Sequence, residues 1–300
     1  MKKLNLSRIS IYGCISTYDS FTSKGQVIID AIEEFVDKIV KPLNIDLIYN
    51  FTKGERTYSE YKYDSDWNAT KLLLLNGKVD SLYIMDLDKA IYERIQNDSD
   101  SEFPKMLPCF IGFNFYTEPE KPENASLIEF YVKAILFDGY IPENVSNIFA
   151  KIIEKLTTKI NSVGGFITAD SMPVFKAFSA HERYIALNHT EASKQFDRYF
   201  RGYFWGNFLS NRHVELLGGI EHIEKEAPVY LVKRLPDGGA FLQLTKNINN
   251  VSDDDLRKLK RFLLPVLPKA RFRLSPSEAT FRRMIIDDDD EENFLPTKEK

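Results

Sequence analysis

Four histidines are the side chains of this sequence best suited to acid–base chemistry: His181, His189, His213 and His222. Two of them, His181 and His189, lie eight residues apart in a stretch without clear periodicity, and Glu182 and Glu191 lie close to them. A histidine near a carboxylate can exchange protons close to neutral pH, so such a set could act as a general acid and base. One hypothesis is therefore a hydrolase or transferase that uses His181, His189 or His213 as a base, with two or more of these three histidines sharing a cleft with a carboxylate.

The other patterns that usually mark catalytic or metal sites do not occur in the sequence. There is no glycine-rich phosphate loop, no His-Glu-x-x-His zinc motif and no Gly-x-Ser-x-Gly nucleophile motif. Cys14 and Cys109 are the only cysteines, and neither belongs to a Cys-x-x-Cys pair. Two isolated cysteines do not make a disulfide framework or a zinc site, so both are expected to be reduced and partly buried. The sequence predicts no metal and no cofactor.

The most distinctive stretch of the chain is residues 201–209. It reads Arg-Gly-Tyr-Phe-Trp-Gly-Asn-Phe-Leu, with two glycines flanking bulky side chains in a predicted strand. Arg201, Tyr203 and Trp205 are of the types enriched at the energetic centres of protein interfaces, so they are candidate partner-binding residues. The alternative is a central strand whose aromatic side chains lie in the core.

The C-terminal residues 271–300 are first basic and then acidic, and residues 287–292 form an unbroken run of six carboxylates. Like charges repel one another, so we expect this tail to be partly disordered. A carboxylate run can also imitate phosphate groups in the basic cleft of a nuclease. Asp287, Asp288, Asp289 and Asp290 are therefore candidate partner-binding residues, and a purely solubilising tail is the alternative.

The composition and charge of the chain argue against some of the remaining classes of function. The chain has 300 residues, of which 43% are hydrophobic, enough for a large core. It carries 40 lysines and arginines against 44 aspartates and glutamates, a formal net charge of −4, which argues against non-specific binding to nucleic acid or to an anionic membrane. No apolar signal segment follows residues 1–8, and no aliphatic run is long enough to span a bilayer, so a cytoplasmic location is expected.

Hydrophobic periodicity predicts a mixture of helices and short strands. Helices are predicted at 26–43, 144–160, 211–217, 220–226 and 252–264, with Ser210 and Ser252 as N-caps. Strands are predicted at 9–15, 72–75, 81–85, 109–116, 127–136, 166–169, 196–209, 229–235 and 240–245. Hairpin turns are predicted at 76–77 and 236–239, and residues 50–67 are predicted to be a long loop or an exposed hairpin.

These elements predict an α+β fold in which antiparallel sheet packs against helices. We expect residues 1–270 to form a single α+β domain, followed by the charged tail at 271–300. The order of strand, connection and helix at 129–160 recurs at 240–264, so two related β–α halves near 1–165 and 166–270 are one interpretation. Chance recurrence of a common structural unit is the other.

Short motifs between residues 201 and 268 resemble a known family. The first reads Arg-Gly-Tyr-x-Trp-Gly-x-x-Leu from Arg201, and Leu-Gly-Gly follows from Leu217. A hairpin then ends in Gly-Gly-Ala-Phe-Leu-Gln-Leu-Thr, followed by Asp-Asp-Asp-Leu-Arg and Pro-Val-Leu-Pro. This order resembles the bacterial type VI immunity family, whose members protect a cell against its own or a sibling's secreted toxin. The matching stretch covers about a quarter of the chain, and its motifs look structural rather than catalytic.

The resemblance implies a soluble, non-enzymatic protein that binds a cognate toxin domain and occludes its active site. It transfers no catalytic residue, and it implies neither a nucleic-acid partner nor a membrane partner. Acidic side chains facing a basic toxin would add attraction that salt weakens. The sequence leaves open the identity of the toxin, the contact surface and the oligomeric state.

Overall fold

Ten β-strands form one continuous sheet in the part of the chain that the structure describes. The structure is a computed structural model that describes residues 9–86, 111–116, 125–170, 181–182 and 193–269. The strands are β1 (Ser10–Thr17), β2 (Leu47–Lys53), β3 (Arg56–Lys62), β4 (Ser81–Asp86), β5 (Ile111–Tyr116), β6 (Ser126–Lys133), β7 (Ser162–Asp170), β8 (Gly206–Leu209), β9 (Leu231–Arg234) and β10 (Ala240–Gln243). Their order is β3-β2-β4-β5-β6-β1-β7-β8-β10-β9, and every adjacent pair is antiparallel.

Six α-helices accompany the sheet within the same residues: α1 (Gly25–Phe35), α2 (Tyr63–Leu75), α3 (Glu143–Lys159), α4 (Asn211–Leu216), α5 (Ile220–Glu226) and α6 (Asp253–Leu263). The predicted α+β fold with an antiparallel sheet is confirmed. α1 continues into a π-helical turn, Val36–Val40, and a 3-10 turn, Lys41–Leu43, which confirms the extent of the helix predicted at 26–43. The other four predicted helices correspond to α3, α4, α5 and α6 to within one residue at each end.

The helices cover both faces of the sheet, as the ion pairs of two consecutive residues on β9 show. Lys233 Nζ lies 2.7 Å from a carboxylate oxygen of Glu154 on α3, whereas Arg234 Nη2 lies 2.7 Å from Glu224 on α5. Consecutive strand residues point to opposite faces, so α3 and α5 lie on opposite sides of the sheet. We call the side of α3 the first face and the side of α5 the second face. α1 contacts both α2 and α3, so these three helices form the layer on the first face.

A cluster of phenylalanines joins the first face to α1 and α3. The ring of Phe130 on β6 lies 5.6 Å from that of Phe113 on β5 and 4.7 Å from that of Phe149 on α3. Phe35 of α1 packs against all three rings, and all four side chains are fully buried. Gly13 of β1 lies beneath this cluster, because a Cβ atom there would approach the Phe130 ring to 2.8 Å. The cluster therefore holds β1, β5 and β6 against the helices.

One edge of the sheet is β3, and its pairing with β2 is interrupted. The register shifts between Tyr49 and Phe51, and Glu60 on β3 has a left-handed φ of 64°. The Glu60 amide donates a hydrogen bond of 2.8 Å to the side-chain oxygen of Asn50. A bulge of this kind twists an edge strand and hinders its pairing with other strands. The region predicted as a loop or an exposed hairpin is thus a hairpin as far as Lys62, where α2 follows.

The predicted strand at 72–75 and the predicted hairpin turn at 76–77 are wrong. Residues 63–75 form α2, and Gly77 follows its end with a left-handed φ of 62°. Trp67, Thr70 and Leu74 are buried while Leu72 is 61% exposed, and this spacing of three and four residues is that of a helix. A run of four leucines is compatible with either structure, so the run by itself does not decide between them.

The strand predicted within 196–209 is confirmed as β8, which takes up the last four residues of that range. The side chain of Asn207, the second residue of β8, closes a turn that begins at Phe204. Its Oδ1 accepts a hydrogen bond from the Phe204 amide at 3.0 Å, and its Nδ2 donates one to the Phe204 carbonyl at 2.8 Å. Residues 193–205 therefore leave the sheet and lie over its second face, where the Phe204 ring stacks 4.0 Å from that of Phe166 on β7. The boundary suggested between two halves, at 165 and 166, falls inside β7.

Replacing Ser252 by alanine should lower the free energy of unfolding by about 1 kcal/mol. The Ser252 hydroxyl accepts a hydrogen bond from the Asp255 amide, and the Asp255 carboxylate accepts one from the Ser252 amide, so the predicted N-cap of α6 is a complete capping box. Alanine removes the first bond and leaves an amide of the first turn without its partner. Urea unfolding followed by circular dichroism measures the loss. Ser65→Ala, at an exposed site on α2, is the control and should change stability by less than about 0.5 kcal/mol.

Candidate functional site

A buried polar cluster lies on the second face of the central strands. Tyr12 and Cys14 of β1 point to this face, because Gly13 between them faces the phenylalanine cluster on the other side. The register of β1 with β6 places Glu129 beside Cys14. Arg201, from the segment that lies over the sheet, reaches Cys14 with its Nη1 atom 3.4 Å from Sγ. The cluster thus joins the middle of the sheet to the covering segment.

The strongest interaction in the cluster is an ion pair between Arg201 and Glu182. Arg201 Nε donates to Glu182 Oε1 at 3.1 Å, and Nη2 donates to Oε2 at 3.0 Å, so the pair is bidentate. The two side chains are 4% and 1% exposed. The guanidinium also lies over the rings of Phe196 and Phe166, at 4.6 and 5.6 Å from their centroids. Burial acts to lower the pKa of Arg201, but Glu182 and Cys14 outweigh it and raise that pKa, so the arginine stays charged.

Tyr12 and Glu129 form the second buried pair. Tyr12 donates its hydroxyl hydrogen to Glu129 Oε1 over 2.6 Å. Burial, together with the neighbouring Glu129 charge, raises the pKa of Tyr12 well above its usual value, so the phenol remains a donor. The pair lies 117 residues apart in sequence and fixes the register of β1 on β6.

Cys14 should be unreactive in the folded protein. Burial raises the pKa of its thiol to about 12, even though the nearby Arg201 charge acts in the opposite direction. Because only the thiolate attacks disulfide reagents, labelling at pH 8 should be at least about 100-fold slower than for free cysteine. The measurement is the rate of reaction with Ellman's reagent in a Cys109→Ser variant, in buffer and in 8 M urea. Equally fast labelling in both conditions would show that the site is open.

His181 is sealed inside the protein next to the ion pair. Its side chain is 3% exposed, and its ring lies edge-on to that of Tyr203, with 5.8 Å between centroids. Burial and then the positive charge of Lys260 lower the pKa of His181 to about 4, against an opposing effect of the Pro268 backbone. The ring is therefore neutral at pH 7.

His213 has a structural position at the start of α4. It is fully buried, and its Nδ1 lies 3.1 Å from the hydroxyl of Ser210, the N-cap predicted from the sequence. Its ring packs edge-on against Phe200, with 5.7 Å between centroids. Burial lowers the pKa of His213 to about 4, so this ring is neutral as well. Its geometry is that of a capping residue.

The described residues do not bring the histidines into one cleft with a carboxylate. His181 packs against Tyr203, His213 against Phe200, and His222 stacks on Phe262 with 6.3 Å between centroids. His189 lies outside the described residues. An acid–base catalyst needs a substrate within hydrogen-bond reach, and side chains as buried as His181 and His213 offer no such access. Among the described residues, no group of three or more histidine, cysteine or acidic side chains could hold a metal ion.

The predicted partner-binding residues of the central segment are buried. Arg201, Tyr203 and Trp205 are 3%, 5% and 2% exposed, and Trp205 donates its indole hydrogen to the Thr245 carbonyl over 2.8 Å. These contacts support the alternative that the aromatic side chains belong to the core; contact with a partner stays a prediction. Asp287, Asp288, Asp289 and Asp290 lie outside the described residues, and so does Cys109.

The sequence contains no signal for the other members of the cluster. Glu182 is 19 residues from Arg201, and Cys14 is 187 residues from it, so their contacts arise from the sheet topology. Within β6, Glu129 has only apolar and aromatic residues on either side from Leu127 to Val132, and such a carboxylate is the one feature that could have drawn attention to this strand.

Comparison with known proteins identifies a shared fold. No protein-family profile and no curated protein sequence matches the chain. The fold is that of a Pseudomonas aeruginosa T6SS protein, PA0821. The two superpose with a TM-score of 0.60 over 88% of this chain and 79% of the other, at 12% sequence identity. At that identity the similarity concerns the fold, and function has to be argued from other features. In the described part of the chain, no helix is both long and apolar enough to cross a bilayer.

Proposed function

We propose that this chain is an immunity protein that binds a cognate toxin of a bacterial secretion system and occludes the toxin's active site, with no chemistry of its own. The observation that carries the proposal is the fold shared with a type VI secretion system protein over 88% of the chain. The order of motifs between residues 201 and 268 independently resembles the type VI immunity family. Fold and motifs therefore favour the same biological setting.

In the described part of the chain, the burial of Cys14, His181 and His213 supports an inhibitor over an enzyme. Cys14, His181 and His213 are each at most 3% exposed, and the pKa values of all three groups are displaced by burial towards the neutral form. An inhibitor acts through its outer surface, and a stable protein interface uses about 800 Å² on each partner. A single face of a protein of this size supplies that area.

A pair of gene deletions tests the proposal. Deleting the gene alone should arrest growth, whereas deleting it together with its chromosomal neighbours should not. A plasmid copy of the gene should restore growth to the single deletion. Normal growth of the single deletion while the neighbouring genes are expressed would refute the immunity function.

Purified proteins test the mechanism separately. The toxin domain encoded beside the gene should bind this chain in a fixed stoichiometry and lose its activity in proportion to the complex formed. If opposite charges steer the encounter, the association rate should fall as salt rises from 50 to 500 mM. Inhibition that grows with time and continues after the chain is removed would instead indicate a covalent, enzymatic mechanism.

A further inference from the structure

A small internal cavity lies beside Arg201 on the second face of the sheet. Its volume is about 10 Å³, and its walls include Ser16, Gly164, Gly165, Tyr199, Phe200 and Arg201. A cavity needs on the order of 10–15 Å³ of such space to hold a water molecule. The space in this cavity is therefore close to that of a single water molecule.

An irregularity in the sheet creates this space. Ser16 of β1 pairs with Gly164 of β7, but the next residue, Thr17, pairs with Ser162, so Val163 is an extra residue in β7. A bulge of this kind bends the strand and opens the ladder locally. Gly164 has a φ of 153° and no side chain to fill the opening; a Cβ atom there would lie 3.6 Å from the Phe200 ring.

Two hydroxyl groups in the cavity wall need a hydrogen-bond partner. The Ser16 Oγ atom and the Tyr199 hydroxyl are both buried, and neither has a partner among the described residues. The two side chains are 2% and 9% exposed. A buried hydroxyl without a partner is costly, and in native proteins an ordered water commonly supplies the missing bond.

We propose that this cavity binds one water molecule, which bridges the Ser16 hydroxyl of β1 and the Tyr199 hydroxyl of the covering segment. A water can donate one hydrogen bond and accept another at the same time, so it satisfies both groups. The bridge lies next to the Arg201–Glu182 ion pair and gives the covering segment a second attachment to the sheet. The proposal that this site binds water is independent of the proposed immunity function.

The direction in which two conservative substitutions change the unfolding temperature tests this water site. Ser16→Ala and Tyr199→Phe each remove one oxygen atom without changing the shape of the side chain. If the water bridges the two hydroxyls, each variant loses a hydrogen bond, and the unfolding temperature should fall by about 2–4 °C. The double variant should lose little more than one single variant, because both substitutions break the same bridge. Without a bound water, each variant removes an unsatisfied hydroxyl, and the unfolding temperature should stay constant or rise.

Tyr230→Phe is the control. The Tyr230 side chain is 59% exposed, and it does not line the cavity. Removal of its hydroxyl should not lower the unfolding temperature. A crystal structure at about 1.5 Å should show a density peak within hydrogen-bonding distance of both hydroxyl oxygens. Absence of that peak, or unfolding temperatures that fail to fall in Ser16→Ala and Tyr199→Phe, would overturn the proposal.

Discussion

Replacing Arg201 by methionine should destabilise the protein by about 3–5 kcal/mol, because it removes the arginine that forms a bidentate ion pair with the buried Glu182 carboxylate. Glu182 is 1% exposed and receives hydrogen bonds from both Nε and Nη2 of the arginine. Methionine keeps a similar length and apolar volume, so the loss reports mainly the missing charge. The guanidinium also lies over two phenylalanine rings, and those contacts disappear with it. The midpoint and slope of urea unfolding measure the change.

Two further variants separate the ion pair from simple loss of packing. In Arg201→Met with Glu182→Gln the buried carboxylate is gone, so the double variant should recover a large part of the lost stability. Arg234→Met removes an arginine whose bonds to Glu221 and Glu224 lie at the surface, and it should change the stability far less than Arg201→Met does. If Arg201→Met behaves like Arg234→Met, the buried ion pair does not hold the covering segment in place.

Acid should destabilise the protein by about 3 kcal/mol for each of His181 and His213 as the pH falls from 6.5 to 4. Burial lowers both pKa values from 6.5 to about 4 in the folded state. The unfolded chain therefore binds protons in this range while the folded chain does not. Protonation favours unfolding, so stability is full above pH 6.5 and declines as the pH falls through the window. Urea unfolding at intervals of half a pH unit measures the decline.

Carboxylates with lowered pKa values do not obscure this window. For Glu34, whose partners include Lys155 and Lys38, folding lowers the pKa below 4.5, so its contribution is lost only below that pH. The decline between pH 6.5 and 4.5 should thus belong mainly to the histidines. His213→Asn should flatten the profile, because a neutral side chain replaces one titrating ring. A wild-type protein equally stable at pH 7 and pH 5 would contradict the prediction.

The helices and most strands could be predicted because their apolar residues recur with the period of a helix or of a strand. In α3, the apolar positions recur every three or four residues over 17 residues. The start of α6 is marked by its N-cap, Ser252, and by the three carboxylates that follow it. The prediction of a strand at 72–75, the four leucines of α2, failed for the opposite reason. Four apolar residues in a row contain no period, and the helix became visible only through the burial of Trp67 and Thr70 further upstream.

The polar cluster could not be predicted because its contacts cross long distances in sequence. Nothing near Cys14 indicates that Arg201, 187 residues later, will reach it. Arg201 itself was noticed, but with a different role, since the residue types of an interface centre and of an aromatic core overlap. What distinguishes the two is burial, and burial follows from the turn at Asn207 that carries residues 193–205 over the sheet. That turn depends on one side-chain amide, which no periodicity signals.

The central place of β1 has a consequence for synthesis on the ribosome. Of the ten described strands, β1 is synthesised before the others, yet its two neighbours are β6 and β7, which end at residues 133 and 170. At about 5–20 residues per second, the nascent strand waits on the order of 8–30 s for the second of them. During that delay the isoleucine side chains of β1 have no neighbouring strands to pack with. We expect a chaperone to bind them until β6 and β7 have been synthesised. A nascent chain stalled before residue 170 should therefore remain protease-sensitive throughout, whereas the completed chain should resist.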